Sequence, residues 1–175
     1  MKHILFLLLI AVLSGCTNND LTKQEAKTLI EKELGYPKQL DYEVFTSDPL
    51  HAEMLLEKGL EKKGLVTVKK TQTFSEIGEP LITFTNQSKV YLLPASAKQQ
   101  EIDVQPVKIG VESINEITTI DYDNSSKIAV VEYTTRTDNI TPFAVLANYE
   151  VGKEKTRTTT FRFDGKKWKV DKRKQ

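Results

Sequence analysis

An unbroken apolar run fills residues 4–13. Beyond it the hydrophobic positions take two spacings, helical in two short stretches and alternating through most of the remainder. Ala26, Leu29, Ile30 and Leu34 share one helical face. Thr22 stands where an N-cap belongs, Glu25 follows at the spacing that returns the hydrogen bond, and Gly35 and Pro37 stop the helix. Leu40, Tyr42 and Val44 alternate with polar neighbours and predict a short strand. Pro49, placed after Asp48, opens a second helix that Met54, Leu55 and Leu60 carry to about residue 63, with Gly64 as its stop.

The spacing then becomes that of strands. Residues 65–73, 81–85 and 89–93 predict a small three-stranded antiparallel sheet, and the polar stretch 94–105 joins it to a second half. There Val107, Ile109 and Val111 alternate, 117–122 forms a further strand, 123–126 supplies turn residues, and 127–137 is a long β-branched run. Residues 143–149 are an apolar patch that suits a short helix or a strand. Asp164-Gly165, between 156–163 and 167–170, is the clearest hairpin turn, and it places Phe161 with Phe163 on one face and Trp168 with Val170 on another. Trp168 is expected to close the core. Helices followed by antiparallel strands make the fold α+β. Residues 21–94 are expected as a helix-rich lobe with a small sheet, 106–171 as an antiparallel β lobe and 172–175 as a basic tail, in one compact domain or two small lobes.

The apolar run has signal-peptide length, is preceded by Lys2, and ends at Ser14 and Gly15 directly before the only cysteine of the chain. A membrane-spanning helix would need ~20 such residues. Leu13-Ser14-Gly15-Cys16 resembles the lipobox of bacterial lipoproteins. The resemblance implies that the chain is cut between Gly15 and Cys16, that the Cys16 thiol carries a diacylglycerol, and that the protein is exported and held on a membrane by lipid. Residues 16–20 would then be a short tether, ~3.5 Å per residue when extended. Thr17 replaces the aspartate that resembles an inner-membrane retention signal, so the outer membrane, facing the periplasm, is expected where two membranes exist.

Two further resemblances concern shape. Residues 54–68 look like the helix-to-strand passage of winged-helix domains, and 82–89 like a wing strand and its turn. DNA-binding members put a helix into the major groove. Export separates this chain from genomic DNA, so the likeness implies a lobe shape and no nucleic-acid partner. The ending Arg162-Phe163-Asp164-Gly165-Lys166-Lys167-Trp168-Lys169-Val170 is similar to the closing hairpin of small periplasmic lipoproteins with cystatin-like or nuclear-transport-factor-like folds, which wrap a curved antiparallel sheet around a helix. It implies a curved, mainly antiparallel sheet, and as a fold analogy it carries no activity.

Composition narrows the chemistry. Losing residues 1–15 removes one lysine and no acid, leaving 24 basic residues against 24 acidic ones, which gives no global attraction to nucleic acid. A lipidated Cys16 removes disulfides, thiol catalysis and Cys-based zinc sites, and His51 is the sole histidine of the processed chain. No Gly-x-Ser-x-Gly turn occurs. His51 is therefore expected to be structural or on the surface, with no cofactor and no metal site. Asp121, Asp123 and Ser125, with Glu132 beyond, follow the spacing of a calcium loop, but Ser126 replaces its glycine, so a solvated hairpin turn is expected. Glu112 with Glu116, or Asp121 with Asp123, are the candidate acid/base pairs of a glycan-acting enzyme. Lysines at 166, 167, 169, 172 and 174 with Arg173 make the end basic, a protected strand edge or a contact for anionic head groups.

The expected function is that of a non-catalytic binding or assembly protein of the cell envelope, meeting a protein or small apolar ligand through its sheet or through Phe143, Leu146 and Tyr149. A carboxylate-dependent envelope enzyme and a phage- or toxin-exclusion (immunity) lipoprotein are the alternatives. Cys16→Ala should move the protein from the membrane pellet to the soluble fraction with an unchanged circular-dichroism melt; continued sedimentation with membranes would refute the lipid anchor.

Overall fold

Thr22 starts the first helix by exchange: its hydroxyl accepts from the Glu25 amide at 3.2 Å, and the Glu25 carboxylate accepts from the Thr22 amide at 3.0 Å. The helix so capped, α1 (Lys23–Leu34), ends on Gly35, whose φ of 72° favours glycine. In the computed structural model, which describes residues 20–123, 125–147 and 152–172, α1 is followed by β1 (Lys38–Phe45), α2 (Pro49–Glu57), β2 (Val66–Val68) and β3 (Ile82–Phe84). Then come a short α3 (Ala97–Glu101), β4 (Val104–Asp123), β5 (Ile128–Asp138), β6 (Lys155–Phe163) and β7 (Trp168–Val170). The fold is α+β: a curled, antiparallel five-stranded sheet in the order β1-β4-β5-β6-β7, with β2 and β3 paired separately.

Several elements depart from the pattern. The second helix stops at Glu57 because Gly59, at φ 71°, lets the chain turn and swing Leu60 into the core, fully buried. The third strand of the small sheet is absent; Thr85 caps a 3-10 turn, Asn86–Tyr91, and the Ser88 hydroxyl donates back to the Thr85 carbonyl at 2.8 Å. The wing-like sheet therefore has two strands. The polar connection holds α3, opened by a Ser96–Gln99 capping box that alternation could not reveal. The strands expected around 107–111 and 117–122 are one strand, β4, of 20 residues, with irregularities between Ile114 and Glu116 and between Ile117 and Thr119.

The largest difference is in pairing. β1 lies in the first half of the sequence but pairs along its length with β4, from Lys38 opposite Glu112 to Phe45 opposite Val104. The side chains accordingly form two cores that ignore the expected boundary between halves. One gathers Val44, Leu55, Leu60, Ile82, Val107, Ile109 and Phe143; the other gathers Leu21, Ala26, Ile30, Ile114, Val131 and Phe161 around α1. Trp168 is half-buried and packs against the α1 core from its edge instead of closing it. The Asp164-Gly165 hairpin forms as expected, Gly165 at φ 93°, with Asp164 accepting from the amides of Lys166 and Lys167 at 2.9 Å each.

Gly110 marks the tightest approach. A β-carbon there would stand 2.9 Å from Thr137 Cγ2 and 3.0 Å from the Asp138 carbonyl oxygen, where the chain leaving β5 folds back so that the Thr141 amide donates to the Ile109 carbonyl at 2.9 Å. Gly110→Ala should therefore cost ~1–3 kcal/mol of stability, the usual range for overpacking, measured as a lower urea midpoint at unchanged slope.

Candidate functional site

Two concave surfaces stand out, one over each core. The first is polar. Glu112 on β4 is 4% exposed, an unusual depth for a carboxylate, and its Oε1 accepts from Arg157 on β6 at 2.7 and 3.2 Å and from the Thr135 hydroxyl on β5 at 2.7 Å. Three adjacent strands thus converge on one oxygen. Burial pushes the Glu112 carboxyl up, but the Arg157 and Thr135 hydrogen bonds outweigh it and hold the pKa below the ordinary value. Tyr36 and Tyr133 meet edge-on beside the pair, ring centroids 6.3 Å apart, and burial followed by the Tyr133 hydroxyl raises the Tyr36 phenol well above its usual pKa. Lys38 lies 4.3 Å over the Tyr36 ring. Leu34, Tyr36, Lys38 and Tyr133, together with residues 156–159 of β6, line a cleft of about 390 Å³.

The second surface is apolar. Pro49, Ala52 and Leu56 of α2, with Val68, Leu81 and residues 69–72, line a groove of about 380 Å³. Its outer wall is the finger that connects β2 to β3. The finger is tied internally: Gln72 Nε2 donates to the Glu76 and Glu79 carbonyls at 2.9 and 3.1 Å, and Lys69 bonds Glu76 at 3.0 Å. The Thr73 amide, then Lys69 and the Thr73 hydroxyl, draw the Glu76 pKa down to about 2. This framework holds Phe74 94% exposed and Ile77 67% exposed, with Leu50 exposed at the start of α2. Apolar side chains projected from an ordered loop lose little freedom on contact, which favours their use in binding.

The residues singled out by the sequence fare differently. Phe143 and Leu146 are not a surface: the patch is a 3-10 turn, Pro142–Leu146, capped by Thr141, and both side chains are buried, Phe143 against Phe84 and Tyr91. A turn of this pitch on one face of β4 directs its apolar residues into the core. Tyr149, Gly15 and Cys16 lie outside the described residues. His51 Nδ1 accepts from the Phe45 amide at 3.0 Å and its ring packs edge-on against Phe45, so it fastens α2 to β1.

Asp123 accepts from Ser125 and Ser126, which first through the Ser125 hydroxyl depress its pKa to about 2, a hairpin turn closed on itself; no metal-ligating cluster occurs among the described residues. Of the candidate carboxylate pairs, Glu112 points inward to Arg157 while Glu116 is exposed. Asp121 and Asp123 are both exposed at the end of β4. In the basic end, Lys169 bonds Asp164 at 2.6 Å and Lys172 bonds Glu33 at 3.2 Å.

Sequence reasoning missed both surfaces. The Glu112–Arg157 contact joins residues 45 apart, and only strand register brings them together. Phe74 and Ile77 did carry a signal: two large apolar residues in a polar segment without periodicity.

Compared with known proteins, the chain matches no family model, no curated protein and no solved structure.

Glu112 supplies a pH test. With its folded pKa depressed, it contributes stability above its unfolded pKa of about 4.5, lost as pH falls through the lower folded value. Arg157→Ala removes the cation, so burial dominates, the folded pKa rises above the unfolded one, and the destabilisation is relieved in acid. The variant should lose ~2 kcal/mol at pH 7, below the cost for a fully enclosed pair because the Arg157 side chain is 41% exposed, and the gap from wild type should close toward pH 4 in urea titrations.

Proposed function

We propose that this chain is a lipid-anchored lipoprotein of the bacterial cell envelope that works as a binding or assembly protein, taking an apolar segment of a partner protein in the groove between α2 and the β2–β3 finger. The observation that carries the reading is the exposure of Phe74 and Ile77 on the same finger whose residues 69–72 line an apolar groove. Its position relative to the proposed anchor supports it. The Leu21 carbonyl accepts from the Tyr122 hydroxyl, so the chain leading back to Cys16 departs from the far end of β4. The finger starts at the other end, where the Leu81 and Ile82 amides donate to the Thr46 carbonyl and the Thr46 amide donates to the Asp103 carbonyl. Nearly the whole of β4, up to ~60 Å when straight and less when coiled, lies between the two. That separation supports a groove held away from the bilayer by a lipid on Cys16 and open to a protein partner.

A photo-crosslinking amino acid at position 74 in growing cells should give a discrete higher-mass adduct, while the same probe at exposed Glu116 gives none. Phe74→Asp should abolish the adduct formed by a probe at Ile77 with no shift in melting temperature beyond ~2 °C, as expected for an exposed site. Identical patterns at 74 and 116, or adducts to lipid alone, would overturn the reading.

A further inference from the structure

Among the described residues the curled sheet has an open edge beside the polar cleft. In an antiparallel ladder the amide and carbonyl of one residue point to the same side, and the side alternates along the strand. The Phe163 amide donates to the Lys127 carbonyl, so the odd-numbered residues of β6 face β5. The Thr160 carbonyl accepts from the Asp171 amide, so the even-numbered residues face the β7 side. β7, however, is three residues long and pairs only with residues 161–163. β5 sets Thr134 and Glu132 opposite Thr156 and Thr158, but among the described residues no strand pairs with either on the side away from β5, where their backbone groups point outward along the cleft that both residues line.

We infer that this edge of β6 is a docking site for an extended, acidic segment of a partner protein, which adds a strand beside Thr156 and Thr158 and places carboxylates in the cleft between Lys38 and Arg157. Thr156 and Thr158 lie two residues apart on one strand, and two rises of ~3.3 Å match the repeat at which an added strand offers its own amides and carbonyls. The charge selects the partner. Among the described residues the cleft is lined by Lys38 and Arg157 and by no carboxylate; Glu112 beneath it is buried and paired with Arg157 and Thr135, which leaves the Lys38 cation to attract an acid. The same charge disfavours a second copy of this chain, because an antiparallel β6–β6 pairing centred on residues 156–158 sets Arg157 against Arg157. The Tyr36 ring holds Lys38 in place through its face, so the cation stands over the cleft at little entropic cost to binding. This site lies on the α1 core and is separate from the apolar groove, so either can fail alone.

The test uses the full chain in detergent micelles and two blocked hexapeptides, one alternating glutamate with valine and one alternating lysine with valine. Amide hydrogen exchange followed by NMR should show Thr156 and Thr158 slowed at least ~10-fold by the acidic peptide and unchanged by the basic one. Lys38→Glu should weaken the acidic peptide about 10-fold and leave the fold intact. Thr158→Pro, which removes an outward amide and no β5 bond, should abolish protection at Thr156. Should that variant unfold, Lys38→Glu decides alone. Equal protection by both peptides, shifts confined to the finger around Phe74, or amides at 156 and 158 already protected in the free chain by its own residues would each overturn the assignment.

Discussion

A strand of 20 residues that pairs on both sides is the constraint from which the rest of the molecule follows. β4 gives β1 a ladder at one end and β5 a ladder at the other, and the side chains it turns inward feed two different cores. A straight strand of that length would leave much of each face uncovered. The irregularities near Ile114 and Ile117 bend it, and the bend divides the inward face between the core over which α2 packs and the core covered by α1. Each core is small, but the shared strand couples them, so neither half of the sequence holds a complete one.

The same strand sets the two surfaces apart. At the α1 end the sheet is interrupted: β7 stops after three residues, the outer edge of β6 is left open among the described residues, and Glu112, Arg157 and Thr135 satisfy one another beside it. Buried ion pairs of this kind contribute modestly to stability and strongly to register, because slipping β6 by one residue would carry Arg157 to the other face and strand a carboxylate in the core. At the α2 end the surface is apolar and its polar groups are spent on bracing the finger. One end is suited to directional, charged recognition and the other to burial of apolar area.

What was legible in the sequence was whatever depends on neighbours along the chain. The Thr22–Glu25 capping box, the Gly35 stop, the alternation of β1 and the Asp164-Gly165 turn are local interactions, and the α+β class follows from their order. Local pattern alone does not fix the end of α2: Leu60 extends its helical spacing, but Gly59 breaks the helix and burial of Leu60 supplies the compensating energy, ~2 kcal/mol for a side chain of that size. Phe143 and Leu146 were apolar for the ordinary reason, that they are core, and periodicity cannot distinguish a core patch from an exposed one when the segment is a single turn.

By itself, then, the sequence determined the helix caps, the strand spacing, the near-neutral charge balance and the shortage of thiol and imidazole groups, because each is a property of residue identity or of residues within a few positions. Only the tertiary structure decided that β1 joins β4, that Glu112 meets Arg157, that Phe74 stands clear of the core and that β7 pairs with residues 161–163 of β6. These are outcomes of strand register and of competition for burial across the whole chain, and no window of sequence contains the partners that settle them.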